Sequence, residues 1–232
     1  MNFKDVFIDS LSYPFTDLKR FIVLLLLFLG SFLLIPALVG YGYLLKIIDH
    51  TMKGKSGLPD YDKAGDLIVP GIKYYVINLI YGIPSLIIAF LLLNRLDLNA
   101  LSTTLTLTNP INMILLMIVG FLVSIVFIIG LANMVYEKRF MAAFDFKKIF
   151  HLINKIGWKK YLAYILVYSL IVNIISLFTL TLLMPTINPG SLGNIFYYLI
   201  FTAINIILSS YSRIFGSRFK GLIYPLEMKE GE

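Results

Sequence analysis

Long charge-free apolar stretches alternate along this chain with short segments that carry nearly all of its Lys and Arg. Five runs stand out: Phe21 to Leu45, Ile72 to Leu93, Ile111 to Tyr136, Tyr161 to Met184 and Ile195 to Tyr211. At about 1.5 Å rise per residue, each is long enough to cross a hydrocarbon core of about 30 Å as an α-helix. Four contain no Asp, Glu, Lys or Arg, and the second is clean beyond Lys73 at its edge. The predicted fold is therefore an all-α integral membrane bundle of five spans, one domain over residues 1–232. Pro36 and Gly40 in the first span, and Pro84 in the second, are expected to bend their helices, because proline removes a backbone donor and crowds the preceding turn. Tyr41, Tyr43, Tyr74, Tyr75, Trp158, Tyr161, Tyr197 and Tyr198 gather near span ends, as amphipathic rings do at a headgroup boundary.

A different periodicity appears between the third and fourth runs. From Phe146 to Ile156 the apolar residues fall at 146, 149, 150, 153 and 156, with Lys147, Lys148, Asn154 and Lys155 between them. This is the spacing of an amphipathic helix, expected to lie in the plane of the cytoplasmic leaflet. With Lys159 and Lys160 beyond it, the segment is a candidate contact for anionic headgroups. Phe3 to Leu11 shows the same pattern more weakly.

Composition agrees with lipid as the main solvent. The chain is 59% hydrophobic and only 14% charged, against about 25% charged in an ordinary soluble domain. Its mean hydropathy is +0.85. A net charge of +7 invites a nucleic-acid reading, but no basic domain exists apart from the apolar spans, so the bilayer is the expected partner. No cysteine is present, which excludes disulfides, thiolate metal sites and a cysteine nucleophile. The first run follows Asp5, Asp9 and Asp17 and has no small-residue cleavage site, so it is read as a retained span.

Lys and Arg also set an orientation. With five crossings, one side receives three from the N-terminal tail (Lys4, Lys19, Arg20) and Arg95 from the second connection. The other side receives five in the first connection, seven in the third and four in the C-terminal tail. The positive-inside rule then puts the C-terminus in the cytoplasm and the N-terminus outside. One feature opposes this: Tyr13-Pro14-Phe15-Thr16-Asp17 followed by Lys19-Arg20 resembles the aromatic, acidic and basic segments before the second and fourth spans. A re-entrant hairpin folded at Pro36 would return the tail to the cytoplasmic side, but 25 residues are too few for two full crossings.

The chain reads as two helical hairpins and a fifth span. Lys73-Tyr74 with Tyr81, and Lys160-Tyr161 with Tyr168, repeat at equal spacing after Asp-containing connections. Each span from the second onward carries one asparagine, Asn78, Asn133, Asn173 and Asn205, expected to hydrogen-bond between helices, since an unpaired amide in lipid is expensive. Asp60, Asp62 and Asp66 with Asp49-His50 suggest a metal site, but as a calcium loop the pattern fails at Ala64 and Gly71, where ligands are required. His50 and His151 are read as solvated. No nucleophile elbow, zinc-binding H-E-x-x-H or P-loop occurs, and no catalytic, cofactor-binding or metal-binding residue is assigned.

Several segments resemble an uncharacterised archaeal family of multi-spanning membrane proteins, a domain of unknown function (family 4013) frequent in methanogens. They are Tyr13 to Asp17, Gly40-Tyr41-Gly42-Tyr43-Leu44-Leu45, Gly57-Leu58-Pro59-Asp60-Tyr61-Asp62, Ile80-Tyr81-Gly82-Ile83-Pro84 and Ala142-Ala143-Phe144-Asp145 with Ile149. Gly216-Ser217-Arg218-Phe219 departs from the pattern, with Phe219 where Tyr is expected. The resemblance implies a single membrane domain in an archaeal cytoplasmic membrane and no assigned activity. The functional expectation is a non-enzymatic membrane organiser contacting anionic lipid or a partner. The alternative is a small-solute or lipid transporter built on the hairpin repeat.

Overall fold

The computed structural model describes residues 2–61, 63–94, 110–181 and 192–225. Asp62, Arg95, Lys229 and the last three residues of the fourth predicted span lie outside them. The described residues form helices and turns: α1 Phe3–Ser12, α2 Leu18–Leu29, α3 Leu34–Met52, α4 Ala64–Asn94, α5 Pro110–Glu137, α6 Phe146–Ile156, α7 Trp158–Thr181 and α8 Leu192–Ile223. Short 3-10 turns stand at Tyr13–Thr16, Gly30–Phe32 and Phe140–Phe144.

Three of these helices are long and apolar enough to cross a membrane: α4 over Ala64–Leu92, α5 over Pro110–Glu137 and α7 over Trp158–Leu177. In the apolar window of α4 only 6% of residues are buried within the protein. Leu86, Ile87, Phe90, Met117 and Ile118 lie open on α4 and α5, so the chain presents an apolar exterior that only lipid satisfies. Several long apolar helices of this kind mark the chain as a helical membrane protein.

The first apolar run is not the single helix its hydropathy predicts. It breaks at Gly30–Leu33, where Leu33 turns extended (φ −91°, ψ 125°) before α3 begins. Pro36 therefore sits in the first turn of α3, where its missing N–H costs nothing, rather than kinking a through-going span. α2 runs back along α3: the Phe28 ring covers Gly40 and meets Tyr41 edge-on at 5.6 Å, while Arg20 at the start of α2 bonds the Leu58 carbonyl and Asp60 just past α3. At 12 residues α2 spans about 18 Å, so an antiparallel pair fits within one leaflet and part of the next. The apolar tip, Leu33 to Ile35, is exposed.

This fold-back corrects the expected separation of the two termini. α1 packs against the C-terminal end of α8, with Phe7 and Phe219 rings 5.3 Å apart and Asp9 paired to Arg218. The N-terminal tail, the first and third connections and the end of α8 thus share one end of the bundle. α4 continues through both Pro70 and Pro84 to Asn94.

The chain becomes three helical hairpins, α2/α3, α4/α5 and α7/α8. Each return helix donates a side-chain hydrogen bond to a carbonyl of the segment that precedes the next hairpin: Tyr43 to Pro59 (2.6 Å), Asn133 to Ala142 (2.8 Å) and, closing the circle, Tyr211 to Leu11 in the last turn of α1 (2.8 Å). The first and third turns end in an aspartate that caps the following helix, Asp17 accepting from the Arg20 N–H and Asp145 from the Lys148 N–H.

α3 lies at the centre, flanked by α2, α4 and α8. Its closest approach is to α4, where a Cβ on Gly42 would fall 2.0 Å from the Leu67 carbonyl and one on Gly71 1.9 Å from that of Leu38. Gly82, by contrast, has nothing within 4 Å of its absent Cβ. Gly42→Ala or Gly71→Ala should cost at least about 1–3 kcal/mol, while Gly82→Ala should leave stability unchanged or slightly raised. Thermal melts in one detergent check this; equal melting temperatures for Gly42→Ala and Gly82→Ala would contradict the packing.

Candidate functional site

The polar chemistry of the described residues concentrates at the end where the turns meet. Its hub is Arg218, in the last third of α8, with a side chain only 8% exposed. The guanidinium grips Asp9 with both carboxylate oxygens (2.6 and 3.0 Å), donates to the Lys55 carbonyl at 2.9 Å and the Thr51 hydroxyl at 3.3 Å, and lies 4.4 Å from the centre of the Tyr13 ring. Tyr13 in turn donates to the Gly57 carbonyl. Burial pushes the Tyr13 phenol up to about 12, outweighing the pull of the adjacent Arg218. Burial likewise lowers His50, which favours its neutral form at pH 7.

A second knot surrounds the first connection. Arg20 joins Asp17 (3.2 Å) and Asp60, while Tyr61 donates to the Arg20 carbonyl at 2.9 Å and stacks on Tyr43 at 4.1 Å. Lys46 donates to the Asp60 carbonyl at 2.7 Å. The aspartates read as possible metal ligands are used otherwise, Asp60 on Arg20 and Asp49 on Lys53 at 2.5 Å. Among the described residues no three His, Asp or Glu converge.

The amphipathic helix is where the sequence placed it, but its apolar face has another use. Ile149, Leu152 and Ile153 are fully buried in the bundle core, so protein rather than lipid covers them. The outward face carries exposed Lys147, His151 and Lys155, with exposed Lys159 and Lys160 at the start of α7. Lys148 differs, being half-buried and paired to Glu137. Beside these lysines stand exposed apolar side chains, Met141, Phe146, Phe150 and Trp158, with Phe150 and Trp158 stacked at 6.1 Å and the Trp158 indole N–H donating to Asn154.

The four span asparagines have different fates. Asn133 is buried and joins two elements, donating to Ala142 and accepting from the Tyr224 hydroxyl at 2.8 Å. Asn78 and Asn173 donate to carbonyls four residues back on their own helices, Tyr74 and Ser169. Asn205 is half-buried. Asn173 lines a lateral cleft of about 740 Å³ between α5 and α7, together with Leu116, Phe121, Ser124 and Tyr168.

Two features escape sequence reading. Lys220 is 5% exposed and donates to the Gly216 carbonyl, between the rings of Phe127 and Tyr168. A pocket of about 460 Å³ between α3, α4 and α5 is lined by Lys46, Lys53, Lys73 and Lys138, with Asp49 and Asp66. Its only advance signal was Lys73 intruding on an otherwise clean span.

Residues 29–184 match the family described as protein of unknown function DUF4013, and the chain belongs to that family. An uncharacterised protein of Methanocaldococcus jannaschii, MJ1189, is 28% identical over a match covering 57% of this chain and 48% of the relative. The chain thus spans about half the length of the curated relative it matches. No solved structure is similar.

The Arg218 pair is the testable element of this end. Asp9→Ala strands a buried guanidinium and should cost about 3 kcal/mol, whereas Asp60→Ala removes an 84% exposed partner and should cost less than about 1 kcal/mol. Denaturation monitored by Trp158 fluorescence compares them, and a larger loss for Asp60→Ala would show that the hub is misidentified.

Proposed function

We propose that this DUF4013-family protein is a non-enzymatic organiser of the cell membrane, holding anionic lipid or a partner against its polar end. What supports the reading is the outer face of α6. Lys147 and Lys155 stand beside exposed Phe146, Phe150 and Trp158, a pairing of cations with amphipathic rings suited to a headgroup layer.

Orientation follows from the shared end of the termini. With the tail folded back by the α2/α3 hairpin, Arg95 alone of the 20 Lys and Arg belongs to a connection at the other end. That is a stronger bias than the opposed termini allowed, and under the positive-inside rule it makes the polar end cytoplasmic, with both termini inside. Single cysteines introduced at positions 3 and 147 should both resist an impermeant thiol reagent in intact cells and both react after permeabilisation. Labelling of position 3 alone in intact cells would restore an outside N-terminus.

If α6 presents a lipid contact, Lys147→Glu with Lys155→Glu should lower association with vesicles rich in phosphatidylglycerol at least tenfold at low salt and leave that with zwitterionic vesicles unchanged. Each lysine near an anionic surface contributes about 1 kcal/mol, so the pair is worth at least tenfold at low salt. Co-flotation of the nanodisc-held protein with such vesicles measures it.

A second reading, transport of a lipid or small solute, draws on the α5/α7 cleft and its Asn173 amide. It predicts saturable flux into proteoliposomes that Asn173→Ala reduces; wild-type proteoliposomes no leakier than empty ones would count against it.

A further inference from the structure

We propose that the pocket between α3, α4 and α5 is a binding site for a phosphate-bearing group. This deepens the reading of the polar end as an anion-facing surface, and rests on it for the expectation that the phosphate belongs to a lipid headgroup.

Four ammonium groups, Lys46, Lys53, Lys73 and Lys138, line one cavity of about 460 Å³ against two carboxylates, Asp49 and Asp66. Of these carboxylates Asp49 is engaged by Lys53. Lys73 and Lys138 form no ion pair among the described residues, although each lysine held near others raises the local positive potential. Lys73 is half-buried, as are Lys46 and Asp49, so part of the site is shielded from water, where a charge-assisted contact is stronger. The apolar wall is Leu45, Leu67, Pro70, Met134, Val135 and Phe140, which leaves room for the glycerol and the first carbons of a chain beside the phosphate.

The backbone supplies an independent observation. Lys138 has φ +56°, and among the described residues it is the one non-glycine residue with positive φ. It follows directly on the last residue of α5, the position where helices close in the left-handed conformation, usually with Gly or Asn. A lysine there costs about 1 kcal/mol relative to glycine. This strained turn holds Lys138, exposed and without an ion pair among the described residues, at the rim of the lysine-lined cavity. Gly42 and Leu67, where α3 passes closely over α4, line the same pocket, so the cavity is built on the tight α3/α4 crossing.

Calorimetric titration of the full-length protein in phosphatidylcholine nanodiscs tests this, with dihexanoyl phosphatidic acid and inorganic phosphate as separate probes. Wild-type protein should bind the short-chain lipid saturably, and Lys73→Gln with Lys138→Gly should weaken binding at least tenfold. Lys138→Gly alone should weaken binding while holding or raising the melting temperature, and Lys138→Arg should keep the affinity. Tight binding of inorganic phosphate as well would assign the pocket to a free phosphorylated solute, whereas lipid binding alone would assign it to a headgroup. No saturable binding of either probe, or an unchanged affinity in the double variant, overturns the site. Calorimetry of the Lys73→Gln with Lys138→Gly variant reads the pocket, while vesicle co-flotation of the Lys147→Glu with Lys155→Glu variant reads the α6 face, so failure of either contact is seen separately.

Discussion

The structure depends on two peptide backbones passing without a side chain between them. Gly42 on α3 and Gly71 on α4 each face a carbonyl of the other helix at a distance that no Cβ tolerates. Lipid gives two apolar helices no hydrophobic reason to associate, so close van der Waals contact between small residues has to hold them. Because α3 also carries α2 on one side and α8 on another, an error at this crossing would propagate to every hairpin.

The second organising demand comes from the turns. Their carbonyls lie partly inside protein, where an unmet acceptor is costly. Tyr43, Tyr211 and Asn133 meet it by donating across from the return helices, and Tyr13 and Tyr81 do the same at Gly57 and Ala143. Tyrosine suits the task because its ring packs in the core while its hydroxyl reaches the turn. The abundance of tyrosine near span ends therefore reflects hydrogen bonding to backbone as much as residence at a headgroup layer.

Much of this was legible from residue order. The apolar runs gave four of the long helices, and the spacing of Ile149 and Ile153 gave α6. The fold-back of the first run was not, because Gly30-Ser31 interrupts the run too briefly, and without a charge, to mark it off from a straight helix. Its one trace was the likeness of the Tyr13-to-Asp17 segment to those before later spans, a likeness the structure explains as a repeated turn with a capping aspartate. Periodicity also cannot say what covers an apolar face, so the buried side of α6 was assigned to lipid when the bundle core covers it. The lysine pocket depends on side chains from three helices, and sequence spacing carries no record of that convergence.

The Asp9 to Arg218 pair joins residues 209 positions apart in the sequence. During synthesis the chain emerges from its N-terminus, so Asp9 waits for its partner until the final helix has been inserted. The first ten residues and the end of α8 form a clasp that closes last. A chain truncated before Arg218 would leave α1 without its ion pair and the Lys55 carbonyl without its donor, presenting quality-control proteases with an open polar end.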